Sequence, residues 1–198
     1  MRKLGLLIIA RSSSKRFKNK IEAKIENYSL LEILILRLLK SGFKRKKIVL
    51  CTSIKDKKNN FFKKIVKKYG IKVFYGSDQN IFSRIIECSK KYNFDHIVRL
   101  TGDNPFIHTE GLINLKKKYS KKNFDYGFMT NVPDGLKSEI FNLSSLKFCK
   151  RNAIDQNSSE YLTYFLLRKD FKICKYEDGS KNILNKKVSF TIDYKKQL

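Results

Sequence analysis

Asp103 stands in the run Arg99-Leu100-Thr101-Gly102-Asp103-Asn104-Pro105. The apolar stretch His96-Ile97-Val98 leads into it, and a helix-like segment follows the Pro. That order puts the carboxylate just past the C-terminal end of a buried strand. In open α/β sheets this edge is where ligands bind. A carboxylate there, beside a Gly that lets backbone come close, suits a hard cation and the phosphates it carries. Gly-Asp-Asn-Pro is also good turn chemistry, so the run by itself fits a strand-ending turn as well.

A second group of reactive types is Ala10-Arg11-Ser12-Ser13-Ser14-Lys15-Arg16-Phe17-Lys18-Asn19-Lys20. Three hydroxyls, free backbone N–H groups and five cations in one loop can wrap a polyphosphate. Arg offers a planar fork to phosphate oxygens, and Lys offers a point charge. The spacing is neither GxxxxGK[ST] nor GxGxxG. On charge alone the loop fits a mobile basic surface loop as well.

The elements that would hold these groups alternate between strand and helix. Residues 4–10 form a continuous apolar run, as expected of a strand buried on both faces. Residues 30–40 have helical periodicity, with Gly42 as the stop. Strands are expected over 47–51, 72–75, 96–100, 125–130, 173–176 and 188–192. Helices are expected over 59–69, 81–92, 112–119 and 159–167, with another running from an N-cap at Ser144 to Lys150. Such alternation predicts a three-layer α/β domain around a mostly parallel sheet, with 4–10 central and parallel to 96–100.

The chain has 198 residues, enough for one domain with a real core, and one domain over 1–198 is expected. Apolar residues make up 41%, which excludes a disordered polar chain. No apolar stretch approaches the roughly 20 residues that cross a bilayer. Residues 4–10 are short and run straight into Arg11 with no small-residue cleavage pattern, so a cytoplasmic protein is expected. Cys51, Cys88, Cys149 and Cys174 show no CxxC spacing and read as reduced, ordinary thiols. The net charge is +26, but 35 of the 44 basic residues are Lys, spread from end to end. That reads as a solvated basic surface attractive to nucleotides, with no specific nucleic-acid site.

Taken in order, several stretches resemble one family. Ile8-Ile9-Ala10-Arg11, Ser13-Ser14, Arg16-Phe17 and Lys20 resemble the N-terminal signature I-I-A-R-x-x-S-x-R-L-P-G-K of the cytidylyltransferases. The nearest branch is that of spore-coat polysaccharide biosynthesis protein F, related to CMP-Kdo synthetases and acylneuraminate cytidylyltransferases. Ser29-Leu30-Leu31-Glu32, Arg37-Leu38, Lys40-Ser41-Gly42, Thr52-Ser53, Val73-Phe74, Gly76-Ser77 and Arg84 are similar to later motifs. So are Arg99 with Thr101-Gly102-Asp103-Asn104-Pro105, Pro133-Asp134-Gly135-Leu136 with Glu139, and Thr191-Ile192-Asp193.

The resemblance implies the nucleotide-diphospho-sugar transferase fold and Mg²⁺-dependent transfer of CMP from CTP to a sugar or sugar acid for surface polysaccharide, releasing pyrophosphate. It implies Mg²⁺ on Asp103 and Asp193, and Arg11 and Lys20 on the triphosphate. It implies Ser13 and Arg16 shaping the same loop, and Thr101 and Gly102 on the nucleotide side. Asp78, Arg84, Asp134 and Glu139 are the residues it offers for the acceptor, and a second copy of the chain is a candidate partner. The sequence departs from the pattern at Lys18-Asn19, where the family has Pro-Gly, and at Glu160-Tyr161-Leu162-Thr163, which lacks the family's His. His108 stands where the family often has Asp. The family continues past T-V-D with a helix, which is not expected here. Rival readings are a same-fold glycosyltransferase, a non-catalytic family member and a basic nucleic-acid binder. Convergence of Asp103 with Asp193 separates the second from an enzyme.

Overall fold

The computed structural model describes residues 3–13, 17, 19–152, 163–167, 170–179 and 188–198. Apolar runs become strands β1 (Leu4–Ile9), β4 (Ile48–Ser53), β5 (Lys72–Gly76), β6 (His96–Thr101), β7 (Tyr126–Thr130), β8 (Glu139–Asn142) and β9 (Ile173–Glu177). They form one seven-stranded sheet in the order β5-β4-β1-β6-β8-β7-β9. The short strands β2 (Lys24–Ile25) and β3 (Tyr28–Ser29) pair separately. β1 pairs in parallel with both β4 and β6, as the buried run at 4–10 requires. β8 alone runs against the rest, antiparallel to β6 and to β7.

Side chains of β1 alternate between the two faces. Leu6 and Ile8 join one core with Leu34, Leu38, Phe62 and Leu115, while Leu7 joins the other with Phe82, Ile85 and Leu146. Helices α1 (Leu30–Lys40), α2 (Asn60–Tyr69) and α4 (Thr109–Ser120) cover the first face. Helices α3 (Ile81–Lys91) and α5 (Leu143–Asn152) cover the second. Each fully buried Leu, Ile or Phe contributes about 1.5–3 kcal/mol, so two packed faces hold the central strands rigid. The three-layer, mostly parallel α/β fold is therefore present.

Four expectations need correction. Residues 188–192 are not a strand. Phe190 N–H donates to Asp134 O at 2.8 Å, so this main chain lies against a turn and not along a ladder. β8 was not expected, because its four residues directly follow the turn-rich Pro133–Ser138 stretch; Ile140 and Phe141 bury on opposite faces all the same. The cap of α5 is Asn142, whose Oδ1 accepts from Ser145 N–H at 2.7 Å, and not Ser144, whose hydroxyl donates to that same oxygen. Of the helix expected over 159–167, residues 159–162 lie outside the described residues, and Tyr164–Leu167 form a 3₁₀ turn.

Candidate active site

The C-terminal ends of β1 and β6 are adjacent, and the loops leaving them touch. Gly102 N–H donates to Ile9 O at 2.9 Å. A Cβ on Gly102 would meet the Ala10 Cβ at 2.8 Å, so only Gly allows this approach. Asn104 closes the turn, its Nδ2 donating to Thr101 Oγ1 at 2.8 Å. Asp103 is thereby held out over the sheet edge, next to the first loop.

That loop ends on a 3₁₀ turn, Lys20–Glu22, entered through Asn19 at φ 53° and ψ 31°. These are left-handed angles, which Asn tolerates better than most residues. Asn19 thus lets the chain turn into this 3₁₀ segment. Lys20 is only 7% exposed. Its Nζ lies 2.7 Å from Asp103 Oδ2 and 3.0 Å from Asp193 Oδ1. A buried ammonium needs such partners, and two carboxylates this close need a cation between them.

Asp193 reaches this point without a strand to carry it. Gly135 adopts φ 86°, and a Cβ there would sit 2.4 Å from the Phe190 carbonyl carbon. The bare Gly lets residues 188–193 lie across the Pro133–Leu136 turn, with Ile192 buried beneath. Gln197 Oε1 accepts from the N–H groups of Asp193 and Tyr194 at 2.7 and 2.8 Å, fixing the end of the segment.

A cavity of about 620 Å³ opens beside Thr101 and Asp193, over β6, β8 and β7. Arg99 and Glu139 form its floor. Arg99 Nη2 and Nε reach Glu139 Oε2 at 2.6 and 2.8 Å, while Tyr126 and Thr163 donate to Oε1 at 2.5 and 3.2 Å. Burial and the neighbouring Glu139 carboxylate push the Tyr126 phenol well above its ordinary value, so it stays a donor. Phe128 stacks on Tyr126 with centroids 5.2 Å apart, giving the cavity a flat apolar wall. The volume is in the range of small-molecule sites.

The sequence-derived candidates thus separate into groups. Lys20, Asp103 and Asp193 converge, with Thr101 and Gly102 at the same edge. Arg11 and Ser13 are exposed on the first loop, and Arg16 lies outside the described residues. Glu139 and Asp134 line the cavity, Asp134 paired on the surface with Lys137. Asp78 and Arg84 lie across the crevice, beyond β1, at the ends of β5 and α3. The Lys55 ammonium and the Ser53 hydroxyl, at 2.6 Å each, hold the Asp78 carboxyl below its usual range. Arg84 is 3% exposed, and desolvation lowers its guanidinium from the ordinary value. Sequence reasoning missed Asp56, which grips the first loop through Ser12, and the pairing of His108 Nε2 with Asp178. Asp56 sits in the Lys-rich stretch Lys55-Asp56-Lys57-Lys58, where nothing in the pattern marks it for burial.

Among the described residues no group of three or more His, Cys, Asp or Glu could hold a metal ion. Two carboxylates that already share one cation nevertheless fit Mg²⁺, which takes few protein oxygens and completes its shell with phosphates and water. The Lys20 ammonium is the cation they share in this structure.

Comparison with known proteins gives the family and the fold. The family model described as cytidylyltransferase matches residues 6–197. An uncharacterised protein of Methanocaldococcus jannaschii is 36% identical over 190 residues, covering 94% of this chain and 76% of that protein. Spore coat polysaccharide biosynthesis protein SpsF of Bacillus subtilis is 29% identical over 170 residues, covering 84% and 70%. A solved cytidylyltransferase from Leptospira borgpetersenii superposes with a TM-score of 0.87 at 28% identity, over 98% of this chain and 82% of that one.

Proposed function

The chain belongs to the cytidylyltransferase family and is a nucleotidyltransferase, and on that premise we propose that it transfers CMP from CTP to a sugar or sugar acid destined for surface polysaccharide. The observation that carries this reading is the convergence of Asp103 and Asp193 on one ammonium at the shared edge of β1 and β6. A convergent acidic pair also speaks against the non-catalytic alternative.

An acceptor oxygen attacks the α-phosphorus, the bond to the β-phosphate oxygen breaks, and pyrophosphate leaves. The work of the protein is positioning and charge stabilisation. Asp103 and Asp193 would hold Mg²⁺, which would supply neutralisation of phosphate charge. Lys20, with Arg11 and Arg16, stabilises the negative charge gathering on the leaving pyrophosphate. Ser13 and the loop N–H groups donate to the same oxygens. Thr101 and Gly102 border the nucleotide. The acceptor occupies the cavity at Glu139 and Asp134, which opens beside Asp193 and so delivers its hydroxyl to the α-phosphorus. Asp78 and Arg84, across the crevice, are better placed for the nucleotide side than for this acceptor.

We assign the reaction to one domain over residues 1–198 and to the cytoplasm. That setting suits four buried, unpaired thiols, and no helix among the described residues is long and apolar enough to cross a membrane. A self-associated state is checked by sedimentation. Calorimetric titration with CTP, UTP, ATP and GTP in Mg²⁺ tests the nucleotide. CTP is expected to bind tightest, and preference for a purine nucleotide refutes the reading.

A further inference from the structure

Asp56 lies on the 3₁₀ turn Ile54–Lys58, directly after β4, and only 4% of it is exposed. A buried carboxylate is costly unless hydrogen bonds replace its water. Thr52 Oγ1 supplies one, at 2.5 Å. Ser12 of the first loop supplies the rest. Its hydroxyl donates to Oδ1, and its N–H lies 3.4 Å from both carboxylate oxygens. Part of the solvation of this charge therefore comes from the loop, and lifting the loop would strand a buried anion. At its other end the same loop is tied by Lys20 to Asp103 and Asp193. Ser12 and Lys20 are thus both anchored, and Arg11 immediately precedes the first of them.

A carboxylate beneath an anion-binding loop would repel phosphates unless its charge were offset. Arg84 offsets it. Its guanidinium is buried within electrostatic reach of Asp56, Asp78 and Arg11. Among the described residues, its Nε and Nη1 have no hydrogen-bond partner. A buried cation with uncommitted donors exerts its field over a wide low-dielectric region. Asp56 can thus hold the loop by hydrogen bonds while the Arg84 charge opposes part of its own.

We infer that Asp56 is a positioning residue for the triphosphate, acting through Ser12 to hold the first loop, and with it Arg11, against the β- and γ-phosphates. The inference rests on the CTP reading above. CMP lacks the two phosphates that the loop would grip, so the pair CTP and CMP isolates the effect from general damage to the fold. The test is calorimetric titration of the full chain with each nucleotide in Mg²⁺, alongside thermal melting, for the unmodified protein, Asp56→Asn and Ser12→Ala.

Asn keeps one acceptor but turns an NH₂ toward donors, so Asp56→Asn is expected to weaken CTP by about tenfold and CMP by less than about twofold. Ser12→Ala leaves the buried carboxylate in place, removes only the loop hydroxyl, and is expected to weaken CTP by roughly threefold to fivefold with CMP unchanged. Equal losses for the two nucleotides, or no loss, overturn the inference. Should Asp56→Asn fail to fold, Ser12→Ala decides alone. Unmodified protein that binds no CTP overturns the functional proposal itself, whereas CTP binding that both variants retain in full overturns only the role of Asp56.

Discussion

Lys20 shows how one side chain can hold a site in readiness. Its ammonium sits where a cation is required and keeps Asp103 and Asp193 from repelling each other. Replacing it should expose that repulsion. In Lys20→Met the two carboxylates have no ammonium between them, so added Mg²⁺ is expected to raise the melting temperature by a few degrees more than in the unmodified protein. Differential scanning fluorimetry with and without Mg²⁺ measures this, and equal shifts in both proteins would remove the metal from Asp103 and Asp193. Asp103→Asn is the complementary change. Its side chain is 31% exposed and lies in a loop, so the fold should stand. Pyrophosphate release from CTP should fall by about a hundredfold or more, as for loss of one charge-stabilising contact or more. An unchanged rate in a coupled pyrophosphate assay would sink the catalytic assignment.

Among the elements, α1 has a clear local logic. Ser29 and Glu32 form a capping box at its start, with Ser29 N–H and Oγ donating to Glu32 Oε2 at 3.0 and 2.8 Å. Lys68 and Tyr69, from α2, donate to the other oxygen at 2.8 and 2.9 Å, so the cap also ties two helices together. Burial alone would raise the Glu32 carboxyl, but the hydrogen bonds from Lys68, Ser29 and Tyr69 outweigh it and bring it from 4.5 down to about 2. A carboxyl depressed on folding stabilises the native state above its unfolded value, and that stabilisation fades as pH falls from 4.5 to about 2. Lys68 is 58% exposed, so solvent screening reduces its share. Urea titration of Glu32→Gln should show a loss on the order of 2 kcal/mol at pH 7 that disappears near pH 2. A loss of the same size at both pH values would mean that packing, not charge, is what the substitution removes. β8 makes the opposite point. Four residues bury on two faces and carry Glu139 into the cavity floor, yet their pattern is too short to separate from the turn beside them.

At the scale of the whole molecule, the charge of +26 is the main electrostatic fact. Lysines lie on α1, α2, α3 and α4 and on the loops between them, so the field surrounds the protein on both faces of the sheet. Several rest over rings, as Lys47 does over Phe94 and Lys72 over Tyr92, which ties their stems to the surface. Such a field draws in nucleotides generally. Binding to duplex DNA should therefore be detectable at low salt and lost near physiological ionic strength, as for contacts made only to phosphates. Fluorescence anisotropy across a salt series reads this out. Salt-resistant, sequence-dependent binding would revive the nucleic-acid alternative.

The sequence by itself determined the alternation of strands and helices, the central place of β1 beside β6, and the identity of Asp103, Asp193 and Lys20 as a set worth bringing together. Those features are local, or they repeat with the period of the backbone, and the ordered motifs give their order along the chain. Only the tertiary structure decided that Asp193 arrives on an irregular segment laid over Gly135. It alone decided that Glu139 belongs to a strand, that Asp78 and Arg84 lie across the crevice from the cavity, and that Asp56 grips the first loop. Each of these depends on contacts between residues far apart in the chain. Such contacts leave no periodic trace, because a buried carboxylate in a Lys-rich stretch has the same spacing and neighbours as an exposed one.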